Sequence, residues 1–174
     1  MFKCAGQVSC SVVSDSTDVP WLSDDERHAW MALTAMLMSL PPAIDAQLKR
    51  DAGINFFEYQ ILSSLSDAPG HTVRMSQLAH LAAGSLSRLS HAVSRLERQG
   101  WVQRRNVDTT EARCVVAVLT DAGTAMIEAT APGHVREARR LVFDALTPEQ
   151  VAQLEKIGRQ LVMSAAPHLS NCLK

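Results

Sequence analysis

Between Arg74 and Arg113 the chain gathers residues of one chemical kind, cations and short hydroxyls. Arg74, Ser85, Ser87, Arg88, Ser90, His91, Ser94 and Arg95 come first, followed by Arg98, Arg104, Arg105 and Arg113. Such side chains donate to phosphate oxygens and to the edges of bases, and they need no large apolar contact to do so. From His71 to Arg113 seven arginines stand against three acids, Glu97, Asp108 and Glu111. That is a local charge of +4; the whole chain carries −1, which leaves −5 elsewhere. A basic module in an acidic scaffold directs its field from one surface. A solvated helix face is the plainer reading of the same residues, and the elements around them have to decide.

Other chemistry has no carrier in the pattern. The sequence offers no Ser-His-Asp or Cys-His arrangement, no paired carboxylates in a cleft-like context and no glycine-rich phosphate loop. The four cysteines, Cys4, Cys10, Cys114 and Cys172, form no CxxC, and with the scattered histidines they make no zinc spacing. No enzyme, metal or cofactor is expected. No run approaches the ~18 apolar residues of a membrane span, and no apolar stretch of signal-peptide length follows Lys3. The expectation is a cytoplasmic protein with reduced thiols. A sensing cysteine sits near cations, and Cys114, next to Arg113, is the best placed of the four.

The positioning elements can be read from the apolar residues. Leu78, Ala79, Leu81 and Ala82 outline a short helix. Ala83-Gly84-Ser85 is a tight turn, where Gly84 can take positive φ at little cost. Ser85 is a favourable N-cap for a second helix, on which Leu86, Leu89, Val93 and Leu96 form the apolar face. Gly100 is its stop. The small Ala79, Ala82 and Ala83 let the two helices cross closely, so the segment has the form of a helix-turn-helix. A hairpin follows. Trp101–Arg105 and Cys114–Leu119 read as strands and Asn106–Arg113 as the polar turn between them. This is a wing, with Arg104 and Arg105 on its stem and Asp108, Glu111 and Arg113 at its tip. A tip arginine suits a narrow minor groove. Glu97 and Asp108 read as structural partners of arginine. His71-Thr72-Val73 is a candidate strand against the wing. A wing directly after the helix favours the nucleic-acid reading of its polar face.

The flanks are helical. Ser23 caps a helix that opens Asp24-Asp25-Glu26. Trp30, Leu33, Leu37 and Leu40 form one stripe and Met31, Ala35 and Met38 a second beside it, so burial on more than one side is expected. Pro41-Pro42 is expected to interrupt this helix. Asn55 with Glu58 resembles a capping box before Phe57, Ile61, Leu62 and Leu65. Thr120 caps a helix that Pro132-Gly133 should kink or break, its pattern continuing through Val142 and Leu146. Thr147-Pro148-Glu149-Gln150 starts the last helix, which ends before Pro167. Two-sided apolar helices at both ends predict an obligate dimer; the alternative is a monomer that folds them over its own core.

In five ordered strings the chain resembles the MarR family of winged helix-turn-helix transcriptional regulators. They are Arg74-Met-Ser-Gln-Leu-Ala, Leu86-Ser-Arg-Leu-Ser, Val93-Ser-Arg-Leu-Glu-Arg-Gln-Gly100, Asp108-Thr-Thr-Glu-Ala-Arg113 and Leu119-Thr-Asp-Ala-Gly123. The wing departs from the family's D-P-x-D-R-R: Thr109 replaces the proline, Glu111 the second Asp and Ala112 the first Arg, and His91 stands where Arg is common. The resemblance implies a mainly α fold with a small β-hairpin wing: a winged module at 53–119, a helical dimerisation region from 23–52 and 120–168, and tails at 1–22 (flexible) and 169–174. It implies a homodimer on double-stranded DNA at a pseudo-palindromic operator, by family habit a repressor. Ser87, Arg88 and His91 would face base edges, with Arg74 and Arg95 on phosphates. The family commonly binds small aromatic or anionic effectors between dimer helices and DNA module; Trp30, Met31, Met38, Phe57 and Tyr59 are the candidate lining, plain core packing being the alternative. Redox-sensing members carry their cysteine near the start of the first helix, where this chain has none. A thiol-based regulator working through Cys114 and a protein-binding winged helix are the competing readings. The latter requires an apolar recognition face.

Overall fold

The structure, a computed structural model, describes residues 19–82, 84–108 and 113–167; the side chains of Asp108 and Arg113 lie outside it. Outside it too fall Ala83 of the turn, Glu111 and Ala112 of the wing tip, Cys4, Cys10 and Cys172, most of the expected 1–22 tail and all of 169–174. The described elements are α1 (Asp24–Ala52), α2 (Phe56–Ser66), β1 (Thr72–Arg74), α3 (Met75–Leu81), α4 (Leu86–Arg98), β2 (Val102–Asp108), β3 (Arg113–Leu119), α5 (Asp121–Leu141) and α6 (Pro148–Ala165). The chain divides into two compact units, 1–36 and 37–174.

In the first unit Ser23 caps α1 as expected. Its hydroxyl accepts from the Glu26 N–H at 3.3 Å while the Glu26 carboxylate accepts from the Ser23 N–H at 2.8 Å. Those two bonds hold the Glu26 carboxyl below its ordinary pKa.

The second unit holds the core. Ile61, Leu62 and Leu65 of α2 are fully buried with Leu48 of α1, Leu78 of α3, and Leu89, Val93 and Leu96 of α4. Val102, Ala117 and Leu119 close the cluster from the sheet and Ile127 from α5. The sheet is antiparallel in the order β1-β3-β2. β1 pairs Val73 with Ala117, and the wing pairs Arg104 with Ala117 and Val107 with Cys114. Local signals set the boundaries. The Asn55–Glu58 and Thr147–Gln150 capping boxes both form. Thr120 accepts from the Gly123 N–H at 3.1 Å to start α5. Gly100, at φ 77°, turns the chain out of α4 into β2.

Several expectations are corrected. Pro41-Pro42 does not interrupt α1, which runs through both. Each proline removes one N–H from the ladder, but the residues whose carbonyls lose it, Leu37 and Met38, are exposed and open to water. Pro132 likewise lies inside an unbroken α5. Its missing bond frees the carbonyl of exposed Glu128, and burial of neighbouring Ile127 and Thr130 offsets the cost. α5 ends at Leu141 instead of continuing to Leu146, because Val142 leaves the helical region and a short 3-10 turn follows. β2 extends through Asn106–Asp108, expected as turn, because β3 supplies partners that far. Gly84 does not have positive φ; it is required for another reason, given below. Leu86 is 55% exposed, so the buried face of α4 is Leu89, Ala92, Val93 and Leu96.

Candidate nucleic-acid interface

α3 and α4 present one polar surface because Leu89, Ala92, Val93 and Leu96 bury the underside of α4. Ser85 caps α4, its hydroxyl accepting from the Arg88 N–H at 3.2 Å. Ser87, Arg88, His91, Arg95 and Arg98 are exposed on the outer face, and Ser90 and Ser94 are half-buried. Arg74 is exposed at the start of α3. The outer face thus keeps the composition read from the sequence, and it is polar and cationic, not apolar.

Three contacts hold this surface. In the first, the Phe57 ring of α2 packs against Gly84, where a Cβ would lie 2.7 Å from the ring. The glycine gives the ring room, and over that ring the Arg88 guanidinium stacks at 4.1 Å from the centroid, a cation–π contact. In the second, Arg95 Nε donates to Glu58 at 2.6 Å. Glu58 is buried and already accepts from the Asn55 N–H at 2.9 Å, so one carboxylate caps α2 and anchors α4. In the third, Arg104 of β2 bonds Glu97, Ser90 and Ser94 of α4. The bond from Arg104 holds the Glu97 carboxyl below its ordinary pKa. The Ser90 and Ser94 hydroxyl oxygens, expected to face DNA, therefore accept from a protein arginine. On the opposite side of the wing Arg105 donates to Gln103 at 3.3 Å. Arg113 opens β3, with its side chain outside the described structure.

Beside α4 lies a cleft of about 720 Å³, bounded by Pro41, Pro42 and Asp45 of α1, Phe56, Phe57 and Gln60 of α2, and Arg88, His91 and Arg95. Asp45 is engaged there. It bonds Lys49 and accepts from the Phe56 N–H at 2.9 Å, and both bonds, Lys49's the larger, hold its pKa down. Of the expected lining residues in the same compact unit, Met38, Phe57 and Tyr59, only Phe57 borders this cleft. Tyr59 points elsewhere: it is buried with its ring centroid 4.3 Å from His134 of α5, and burial raises its pKa. Trp30, Met31 and Met38 are exposed on α1. The prolines, His91 and Arg95 as cleft walls had no local signal in the sequence, nor had the Glu58–Arg95 pair, whose partners lie 37 residues apart. Cys114 is half-exposed and pairs across the wing with Val107. Among the described residues no group of three His, Cys, Asp or Glu is placed to hold a metal ion, and no helix is long and apolar enough to cross a membrane.

A helix-turn-helix with a winged antiparallel sheet and a cationic outer helix defines a winged helix-turn-helix protein. No family model matches the chain. It is 41% identical to Sco3205, a MarR family transcriptional regulator from Streptomyces coelicolor solved in complex with DNA, over 84% of this chain and 91% of that one, with a TM-score of 0.79. With AbsC, a MarR family regulator of the same organism, identity is 34% over 87% and 98% of the two chains, with a TM-score of 0.75. The chain belongs to the MarR family of transcriptional regulators. It is also 28% identical over 110 residues to the transcriptional repressor MprA of Escherichia coli K12, covering 63% of this chain but only 61% of that protein's length.

Proposed function

We propose that the protein is a cytoplasmic homodimer that binds a pseudo-palindromic site in double-stranded DNA and represses transcription from it. The observation that carries the reading is the outer face of α4, where Ser87, Arg88, His91 and Arg95 stand exposed above a fully buried underside. A rigid helix with donors on one face suits the major groove. Ser87, Arg88 and His91 occupy its N-terminal half and would meet base edges; Arg74, Arg95 and Ser85 would hold the backbone, and the wing with Arg105 and Arg113 would reach the flanking minor groove. The similarity to a family member solved with DNA supports the partner, and the similarity to MprA supports repression. Helices at both ends, 23–52 and 120–168, would form the dimerisation region around the 53–119 module. Within this chain no residue of α6 is buried, and Trp30, Met38, Ile157 and Met163 are exposed, which is apolar surface a second copy would cover.

The regulator would respond to a small aromatic or anionic effector. Phe57 gives the 720 Å³ cleft an aromatic wall, and Arg88 and Arg95, beside His91, give it cations for such a molecule. An effector acts only through different affinities for the DNA-competent and incompetent forms.

Equilibrium binding of the full chain to a duplex selected from a random pool tests the reading. Two chains should occupy half-sites roughly 10 bp apart, and affinity should fall steeply with salt. Binding of one chain to a single half-site, or salt-independent binding, overturns it.

A further inference from the structure

Glu97 is the one acid of α4, and an acid on a helix aimed at phosphates works against binding unless it does something else. Its surroundings show what. β2 is an edge strand, so its outward N–H groups have no strand partner. The outward N–H of Arg104 donates to Glu97 Oε1 at 2.8 Å. The guanidinium of the same residue donates to Glu97 Oε2 through Nε at 2.9 Å and through Nη2 at 2.5 Å. It continues up the helix, with Nη2 on Ser94 Oγ at 2.7 Å and Nη1 on Ser90 Oγ at 3.3 Å. Ser90, Ser94 and Glu97 lie at i, i+4 and i+7, one stripe along about two turns of α4. A single arginine therefore rules the wing against the helix over a length of ~10 Å. The Arg104 and Glu97 side chains are 32% and 27% exposed, so the ion pair is partly covered at the surface.

We infer that Glu97 and Arg104 are positioning residues that lock the wing to α4 before DNA is met, with Ser90 and Ser94 as acceptors for the same guanidinium. This rests on the reading of α4 as the DNA-facing helix. Under it Arg104, Ser90 and Ser94 act on DNA through the wing, and an acidic residue raises DNA affinity. A charge-assisted pair in which the Arg104 backbone N–H takes one Glu97 oxygen and its guanidinium the other fixes direction as well as distance, and preorganisation of a binding surface reduces the ordering lost on association.

The test turns on sign. Glu97→Gln removes a negative charge from the DNA face, so simple electrostatics requires tighter binding. A positioning role requires weaker binding, by roughly tenfold for loss of a hydrogen-bonded charge pair. The full chain, its Glu97→Gln, Arg104→Gln and double variants are titrated against the duplex selected by the unmodified chain, with thermal melting to confirm that each is folded. The double variant should lose little more than either single variant, because the two residues act as one unit. Base preference should soften at the flanks reached by the wing and stay intact at the centre read by α4, a split that a merely structural defect would not produce. Should Glu97→Gln fail to fold, Ser90→Ala with Ser94→Ala, which leaves the ion pair, should soften the flanks in the same way. Equal or tighter binding by a folded Glu97→Gln, additive losses, or equal loss at centre and flanks overturns the inference. If the unmodified chain itself fails to select any duplex, it is the DNA-binding reading that falls.

Discussion

Arg88 is the residue on which reading of a base sequence is expected to depend, and its setting makes that testable. It stacks on Phe57 and makes no ion pair among those described, so its removal leaves no buried charge behind. Arg95 is different: its removal strips buried Glu58 of a partner and weakens the joint between α2 and α4. Arg74, exposed and outside α4, is the cleaner probe of a phosphate contact. Arg88→Ala should relax preference at one base pair by about 1–3 kcal/mol, while Arg74→Ala should weaken all sequences alike and lower the salt slope by about one. Selection of preferred sequences by each variant measures this. Uniform loss in both would place the reading elsewhere on the helix.

The elements meet through backbone approaches as much as through side chains. The first turn of α5 docks on the chain between α4 and β2. Thr120 donates from its N–H to the Trp101 carbonyl at 3.0 Å and from its hydroxyl to the Gly100 carbonyl at 2.7 Å. Gly123 lies against that same carbonyl, and a Cβ there would stand 2.2 Å from the Trp101 oxygen and 2.6 Å from Leu119 Cδ1. Leu119 Cδ1 is a side-chain end, but the Trp101 carbonyl is backbone and cannot yield easily. Gly123→Ala should therefore destabilise at or above the top of the ~1–3 kcal/mol range for overpacking, seen as a lower denaturation midpoint. Gly158→Ala, with open space around it in this chain, is the control. A neutral Gly123→Ala would mean that α5 does not seat on Trp101 in solution.

For the whole molecule, stability should depend on pH through the seam between α2 and α5. His134 is packed on Tyr59 and, at 6.2 Å between centroids, on Phe56; its Nδ1 is buried without a hydrogen-bond partner. Burial lowers its pKa. The unfolded chain then binds the proton more readily than the folded one, so the stabilisation is fully present above the unfolded pKa of about 6.5 and is lost as pH falls through the folded value. Glu137, Asp51 and Asp45, in α5 and α1, have pKa values lowered by their partners and lose stability in the same direction, but at more acid pH. The melting temperature should drop between about pH 7 and pH 5, and less so in His134→Leu, whose side chain cannot charge. An identical drop in that variant would rule His134 out as the cause.

The family strings, the caps at Asn55, Ser85, Thr120 and Thr147, the turn at Gly100 and the buried stripe from Leu89 to Leu96 were legible in the sequence alone. Each is a local pattern whose physics acts within a few residues. So was the cationic character of α4's outer face, since a buried stripe fixes what the opposite side presents. The continuity of α1 through Pro41-Pro42 and of α5 through Pro132 was not legible, because the cost of a lost hydrogen bond depends on its surroundings in the fold: exposure at Leu37 and Met38, and burial of Ile127 and Thr130 beside Pro132. Gly84 was rightly singled out for the wrong reason: its constraint comes from Phe57, 27 positions earlier, and not from its own φ. Which partner each of these arginines takes was decided by the tertiary structure. Arg88, Arg95 and Arg104 are alike as letters, and only the fold brings a ring under the first, a buried capping carboxylate to the second and a helix stripe of Ser90, Ser94 and Glu97 to the third.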